Sequence, residues 1–270
     1  MLAVANIHKT FYPGTANEVR ALRGVSFELP AGSFLVILGG NGSGKSTLLN
    51  AIAGSFELDA GELQLDGKRI TRWPEHCRAR LIGRVFQNPF AGTAPGMSIA
   101  ENLSLAARRG QARGLDRALS PKLVQEMRER VSQLRMGLED RLGNPIGSLS
   151  GGQRQALTLL MAAWLKPSLL LLDEHTAALD PKSADQVIRV TEEVIKRHQL
   201  TTLMVTHSMQ QAVNLGERII MMHQGTVAYR FDGAEKKRLC VSDLLARFDE
   251  LRRRDMFDET AAALLESTYC

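Results

Sequence analysis

The sequence predicts an α/β fold built on a buried parallel sheet, with a helical segment inserted into it. Short, continuously apolar runs such as Phe34–Leu38 and Leu169–Leu172 end in turn-forming or charged residues and lead into helix-favouring stretches. That is how strands covered on both faces read. From about 98 to 165 the strand pattern is lost, the chain turns rich in Leu, Ala, Arg and Glu, and Val124, Met127, Val131 and Leu134 recur at helical spacing. At 270 residues, 44% hydrophobic and 23% charged, the chain can bury a sizeable core. We expect one main α/β domain with appendages. The composition excludes a disordered, collagen-like or membrane-bundle chain.

The elements follow in order. Residues 1–30 read as short strands, LAVANI and VSFEL, punctuated by Pro13-Gly14 and Pro30-Ala31-Gly32. Phe34–Leu38 is a buried strand that feeds a glycine-rich turn. Lys45–Ala53 favours helix, with Gly54 as its stop. GELQLDGKRI returns to strand-like alternation. Leu169–Leu172 is a second buried strand, and a helix starts at Pro181 with Asp180 as N-cap. TTLMVTH is a third strand, Ser208–Leu215 a short helix stopped by Gly216, and RIIMM a fourth strand. A charged tail helix is expected over 234–254, with Val241, Leu244, Leu245 and Phe248 on one face.

The longest apolar stretch, Leu157–Leu172, is cut by Lys166-Pro167 and falls short of a membrane span. The N-terminus lacks the charged-then-apolar pattern of a signal peptide. The three cysteines, Cys77, Cys240 and Cys270, make neither a disulfide framework nor a CxxC metal site, and free thiols fit a reducing compartment. The formal charge of +5 suits nucleic acid, nucleotide phosphates or an acidic lipid surface equally.

Gly39-Gly40-Asn41-Gly42-Ser43-Gly44-Lys45-Ser46 fits GxxxxGK[ST] between a strand and a helix. Glycines let the backbone wrap a polyphosphate, and the helix N-terminus offers free N–H groups. In this pattern Lys45 reaches the β- and γ-phosphates, and Ser46 offers its hydroxyl to Mg²⁺; Thr47 follows in the same turn. Leu169–Leu172 ends in Asp173 and Glu174. A carboxylate just beyond a parallel strand lies near the phosphate loop. Asp173 is the candidate metal residue and Glu174 the candidate general base.

The segment Leu149-Ser150-Gly151-Gly152-Gln153, taken with the phosphate loop, resembles the nucleotide-binding subunit of an ATP-binding-cassette (ABC) transporter. The resemblance covers residues 1 to about 235, the expected cassette, with a helical subdomain over about 90–165 and a tail over 236–270. It implies a RecA-like P-loop NTPase core, an antiparallel β subdomain near the N-terminus and the inserted helices. It also implies Mg²⁺-dependent hydrolysis of ATP sandwiched between two protomers, with Ser150, Gly151, Gly152 and Gln153 closing on the partner's nucleotide. In the same way it assigns Gln87 to the glutamine loop, touching Mg²⁺ and water, Asp180 to the D-loop and His207 to the switch histidine. Tyr12 is the best match for the aromatic that stacks on adenine; Phe11 is adjacent, and one of the two belongs to the core. Gly40 and His175 depart from the family, which commonly has Pro at His175.

The resemblance further implies a homodimer, or a heterodimer with another cassette, at the cytoplasmic face of the membrane. The dimer would drive a separate integral permease, with a substrate-binding protein, for import of small, amino-acid-like organic solutes. Residues 87–102 are the expected permease socket. A lipoprotein-release or division-type cassette shares every motif and is the alternative. A soluble nucleic-acid-associated ATPase is a remote one, and no nucleic-acid partner is expected. The basic run Arg108, Arg109, Arg113 and Arg117 is better suited to anionic lipid.

Overall fold

The computed structural model describes residues 1–111 and 118–253. The chain opens with strands β1 (Leu2–Phe11), β2 (Val19–Leu29) and β3 (Phe34–Gly39), then helix α1 (Lys45–Ala53), strands β4 (Ala60–Leu65) and β5 (Lys68–Arg69), α2 (Glu75–Arg78) and β6 (Ile82–Val85). The helices α3 (Ile99–Ala107), α4 (Pro121–Ser132) and α5 (Gly151–Ala163) follow before β7 (Leu169–Asp173). Next come α6 (Pro181–His198), β8 (Thr202–Val205), α7 (Met209–Leu215), β9 (Arg218–His223), β10 (Thr226–Phe231) and α8 (Gly233–Arg238). A last helix, α9, occupies residues 241–253. Arg113, Arg117, Cys270 and the end of the expected tail lie outside the described residues.

Two sheets form. One is antiparallel, in the order β2-β1-β4-β5; the other runs β10-β9-β3-β8-β7-β6 and is parallel except for its β10 edge. The period of two along a strand divides the interior. Val36, Leu38, Leu170 and Leu172 face a core shared with the inserted helices and the tail. Leu35, Ile37, Leu169 and Leu171 face one shared with α1 and the antiparallel sheet. Each buried Leu or Ile contributes about 1.5–3 kcal/mol, so both faces of the central sheet are held by the alternation read in its strands.

α1 is fixed at its far end by a charge. The Arg78 side chain is fully buried. Its Nη1 donates to Ala51 O (2.7 Å) and Ile52 O (2.9 Å), its Nη2 to Thr71 O (2.9 Å) and its Nε to Trp73 O (2.8 Å). A cation against the last carbonyls of a helix is favourable, and here it anchors the helix that begins at the phosphate loop.

Four sequence expectations change. β1 and β2 are long strands of 10 and 11 residues, because positive-φ positions at Asn6 and Gly24 let the hairpin bulge without breaking. β6 and β10 were not anticipated: one is four residues carrying an arginine, and the other, TVAYRF, is half polar. The tail is two helices, since Leu239 takes an extended conformation with φ −69° and ψ 127°. Along the second of them Leu244 and Leu251 are buried while Leu245 is exposed, so Leu251 takes the place expected of Leu245.

Candidate active site

Strand register brings the sequence motifs to one edge of the parallel sheet. Ile37 of β3 lies level with Val205 of β8, Val205 with Asp173 of β7, and Leu172 with Val85 of β6. Residues just past these ends are therefore neighbours: Gly39–Gly44, His207, Glu174 and Gln87. Open α/β sheets hold ligands beyond their carboxyl ends. A cleft of about 290 Å³ lies there, lined by Phe11, Val19, Ala21, the loop Asn41–Thr47, Glu174 and His207.

The loop is a receptor for anions. A Cβ on Gly39 would stand 2.4 Å from Ser43 Oγ and 2.6 Å from Met222 O, so no side chain fits. Gly44 has φ +97°, and a Cβ there would meet Ala21 O at 2.5 Å. α1 then starts without a side-chain cap, which leaves its first N–H groups for a ligand. Ser43 Oγ is buried without a hydrogen-bond partner. Lys45 is buried and folds back, Nζ donating to Gly39 O and Gly40 O at 2.8 Å each. Burial pushes its pKa below the ordinary lysine value, partly opposed by the charges of Glu174 and Asp173. Such a set fits a polyphosphate, which would draw Lys45 Nζ off the carbonyls it now satisfies. Nothing crowds a Cβ at Gly40, so the departure there removes no donor and no space.

Glu174 sits at a left-handed backbone position, φ +44°, where its N–H still reaches Val205 O at 3.0 Å. Its two carboxylate oxygens are held from opposite strands. His207 Nε2 is 2.5 Å from Oε1, and Gln87 Nε2 donates to Oε2 at 3.2 Å. Since an ionised carboxylate only accepts, Nε2 carries the histidine proton in this contact. Asp173 Oδ2 pairs with Arg84 Nη2 at 3.3 Å. The Ser46 hydroxyl, the Asp173 carboxylate and the Gln87 amide are hard oxygen donors, of the kind Mg²⁺ takes when phosphate and water complete its shell. Among the described residues no group of three or more His, Cys, Asp or Glu could hold a metal by itself, so a cation here depends on the phosphates.

His175 is no part of this chemistry. It is fully enclosed, and burial pushes its pKa down to about 4. Its Nε2 lies 3.1 Å from Thr191 Oγ1, whose hydroxyl donates to Val187 O. Thr191 therefore accepts, and neutral His175 is protonated on Nε2. Tyr12 does not line the cleft. It has φ +50° and is 69% exposed, whereas Phe11, packed edge-on against Phe56 at 5.4 Å, lines the cleft.

The signature segment forms a rigid helix start. Ser150 Oγ accepts from Gln153 N while Gln153 Oε1 accepts from Ser150 N, a reciprocal capping box. A Cβ on Gly152 would be 2.9 Å from Ser183 Cβ, and one on Gly151 would be 3.1 Å from Leu179 Cδ2. Asp180 Oδ1 accepts from Ser183 N at 3.1 Å and caps α6; the Ser183 hydroxyl first, and then this backbone N–H, hold its carboxyl below the usual range. Ser150–Gln153 and Asp180 thus stand together, yet none of them lines the phosphate-loop cleft.

Three residues not anticipated from the sequence organise these loops. The buried Asn102 accepts from Ala94 N and donates to Ala94 O, Met97 O and Ser98 O, shaping the loop after Gln87. That loop is tied to the approach of α5 through Ile146 N to Met97 O and Gly147 N to Pro95 O, both 3.0 Å. Gln211 accepts from Thr206 Oγ1 (2.8 Å) and donates to Thr176 Oγ1 (3.1 Å), linking the His207 loop to the turn after Glu174. Arg84 is the third. Arg84 and Gln211 are single polar residues with partners distant in sequence, while Asn102 bonds backbone groups four to eight residues away; no motif marks any of them.

A doubly covered parallel sheet, with a phosphate loop and paired carboxylates on one edge, defines a P-loop nucleotide hydrolase of the cassette type. The ABC transporter family profile matches residues 22–177, more than half of the sequence. A tyrosine transport ATP-binding protein of Clostridioides difficile is 40% identical over 250 residues, covering 92% of this chain and 99% of that one. A lipoprotein-releasing system ATP-binding protein of Caulobacter vibrioides is 35% identical over 227 residues, 82% of this chain and 92% of that one. Among solved structures, a dimeric post-hydrolysis ATP-binding cassette bound to ADP and Pi superposes with a TM-score of 0.73 at 27% identity, covering 86% of this chain and 98% of that one. The chain belongs to the ABC transporter family, and it is an ATP-binding, ATP-hydrolysing subunit of such a transporter. Among the described residues no helix is long and apolar enough to cross a membrane.

Proposed function

We propose that this chain powers a bacterial importer for amino-acid-like solutes, aromatic amino acids foremost, working as a pair of cassettes beneath an integral permease served by a substrate-binding protein. The observation that carries this reading is the 40% identity to the tyrosine transport protein over 99% of its length. On this reading residues 1–235 make the cassette and the two-helix tail is an appendage. The subunit then works peripherally, at the cytoplasmic face of the membrane.

The chemistry follows from the geometry. The loop N–H groups and Lys45 take the β- and γ-phosphates, and adenine rests at the Phe11–Tyr12 corner, where Phe11 faces the cleft. Mg²⁺, held by Ser46 and Asp173 with Gln87 at its water shell, would neutralise phosphate charge. Glu174 is the base for the attacking water. Each of its oxygens accepts one contact, from His207 and from Gln87, and keeps a lone pair for the attacking water. Ser150–Gln153 and Asp180 meet the nucleotide of the facing subunit.

The test is reconstitution with the permease in liposomes. Labelled tyrosine, presented with the binding protein, is expected to accumulate in an ATP-dependent way and to stimulate hydrolysis. Hydrolysis that responds instead to lipoprotein, with no solute uptake, would replace this reading by the lipoprotein-release one, which the Caulobacter relative favours.

A further inference from the structure

We propose that Arg84 is a positioning residue that holds the Asp173 carboxylate in the orientation in which it receives the divalent cation. This rests on the assignment of Asp173 to the Mg²⁺ site made above. Arg84 stands on β6, level with Leu171 of β7. Its guanidinium lies 4.5 Å from the Phe86 ring centre, and its side chain is only 14% exposed. Nη2 makes two contacts: Asn50 Oδ1 at 2.7 Å and Asp173 Oδ2 at 3.3 Å.

The two distances assign the roles. Charge-assisted N–H···O bonds are typically about 2.7–2.9 Å. Arg84 is thus anchored by Asn50 and touches Asp173 lightly, by one oxygen. That arrangement orients a carboxylate without capturing it. Asn50 belongs to α1, the helix that begins at Lys45, so one guanidinium ties the phosphate-loop helix, the carboxylate strand and the strand leading to Gln87. Lys45 Nζ makes its hydrogen bonds to Gly39 O and Gly40 O instead. Among the described residues the ion pair of Asp173 is with Arg84. Partners that orient a metal-holding carboxylate typically change cation affinity by about 10–100-fold when lost.

The experiment uses the full chain, a fluorescent ATP analogue and Mn²⁺ in place of Mg²⁺, with bound Mn²⁺ read by electron paramagnetic resonance. In Arg84→Met, nucleotide affinity without metal is expected to stay near the wild-type value, while Mn²⁺ half-saturation of the nucleotide complex weakens about tenfold. Arg84→Lys keeps a charge on a more flexible head that is not held over Phe86 as a flat guanidinium is, and a loss of about threefold is expected; it carries the test if Arg84→Met does not fold. Unchanged or tighter Mn²⁺ binding would overturn the proposal, because Arg84 would then be packing or a competing charge. A parallel fall in metal-free nucleotide affinity would overturn it too, making Arg84 a general strut. Asp173→Asn separates the two assignments. If it weakens Mn²⁺ and the Arg84 variants do not, only the role of Arg84 falls; if it leaves Mn²⁺ binding intact, the metal role of Asp173 falls and that of Arg84 with it.

Discussion

The phosphate-loop edge and the signature helix are both built for the same nucleotide chemistry, but in opposite ways. At the sheet edge the chain converges on itself: Glu174 touches His207 and Gln87, and Lys45 touches its own loop. At Ser150–Gln153 the helix start is equally well formed, with both halves of its capping box closed, yet it adds nothing to the cleft. The difference teaches where a second molecule is required. A site completed in one chain leaves its donors facing its own cleft. On the function proposed above, the glycine-lined helix start beside Asp180, away from that cleft, supplies half of a site whose other half belongs to a facing copy.

The comparison breaks most visibly at Ser150. Ser150→Arg is expected to abolish hydrolysis, because a bulky cation at the helix start blocks closure on the facing nucleotide. Binding of a fluorescent ATP analogue to the monomer should be little changed. The lost cap costs about 1 kcal/mol, so a melting curve checks that the fold persists. Turnover at the wild-type rate would sink the two-chain site.

The converse variant is Glu174→Gln. It keeps the hydrogen-bonding shape and removes the base, so turnover should fall by about 10² or more. ATP with Mg²⁺ should then trap a dimer on size-exclusion chromatography. A monomeric, fully active variant would remove Glu174 from the mechanism.

Phe90 tests whether the loop after Gln87 belongs to neither half. It is 50% exposed, and the Arg154 guanidinium lies 3.7 Å from its ring centre. Arg154 also bonds Gly147 O and Leu149 O at the approach to the signature helix. An aspartate at this position would pair with Arg154, so Phe90→Ala is the cleaner variant. Basal hydrolysis by the isolated subunit should stay within about twofold, while binding to the permease weakens by about 2 kcal/mol, as at an interface hot spot. Co-purification and stimulated hydrolysis, measured on the same variant, decide it.

The smallest effect on turnover concerns a group that neither region uses. His175 is neutral when folded, with its pKa pushed to about 4 by burial. The unfolded chain takes up this proton near pH 6.5 and the folded chain does not, so its contribution to stability is complete above pH 6.5 and lost as pH falls toward 4. The shift corresponds to about 3 kcal/mol. His175→Gln should flatten that part of the pH–melting profile without changing hydrolysis at neutral pH. An unaltered profile would show that other groups govern the acid limb.

What could be read in advance follows a physical division. The phosphate loop, the strand ending in Asp173 and Glu174, and the capped segment Ser150–Gln153 are contiguous stretches whose chemistry depends on neighbours in sequence. Strand register then brings the phosphate loop, Asp173 and Glu174 to one edge without further information. Arg84 is different: its partners are 34 and 89 residues away, and nothing in IGRV marks it. Gln211 reaches Thr176, 35 residues away, whereas Asn102 bonds within eight residues but belongs to no motif; β10 was missed because an antiparallel edge strand needs only one apolar face. Between Phe11 and Tyr12 composition does not decide. Which of them lines the cleft is set by where β1 stops, since Tyr12 is the first residue past the strand.

Glu174 stands at φ +44°, a conformation that costs a residue with a side chain of its kind about 1–3 kcal/mol. The native fold is therefore less stable than it would be with glycine at this position, which takes that conformation freely. Random mutation screened only for thermal resistance or expression yield would be drawn toward replacing the base, and the recovered proteins would be hardier and inert. Keeping glutamate there is the mark of selection for turnover, acting against the drift that stability alone would favour.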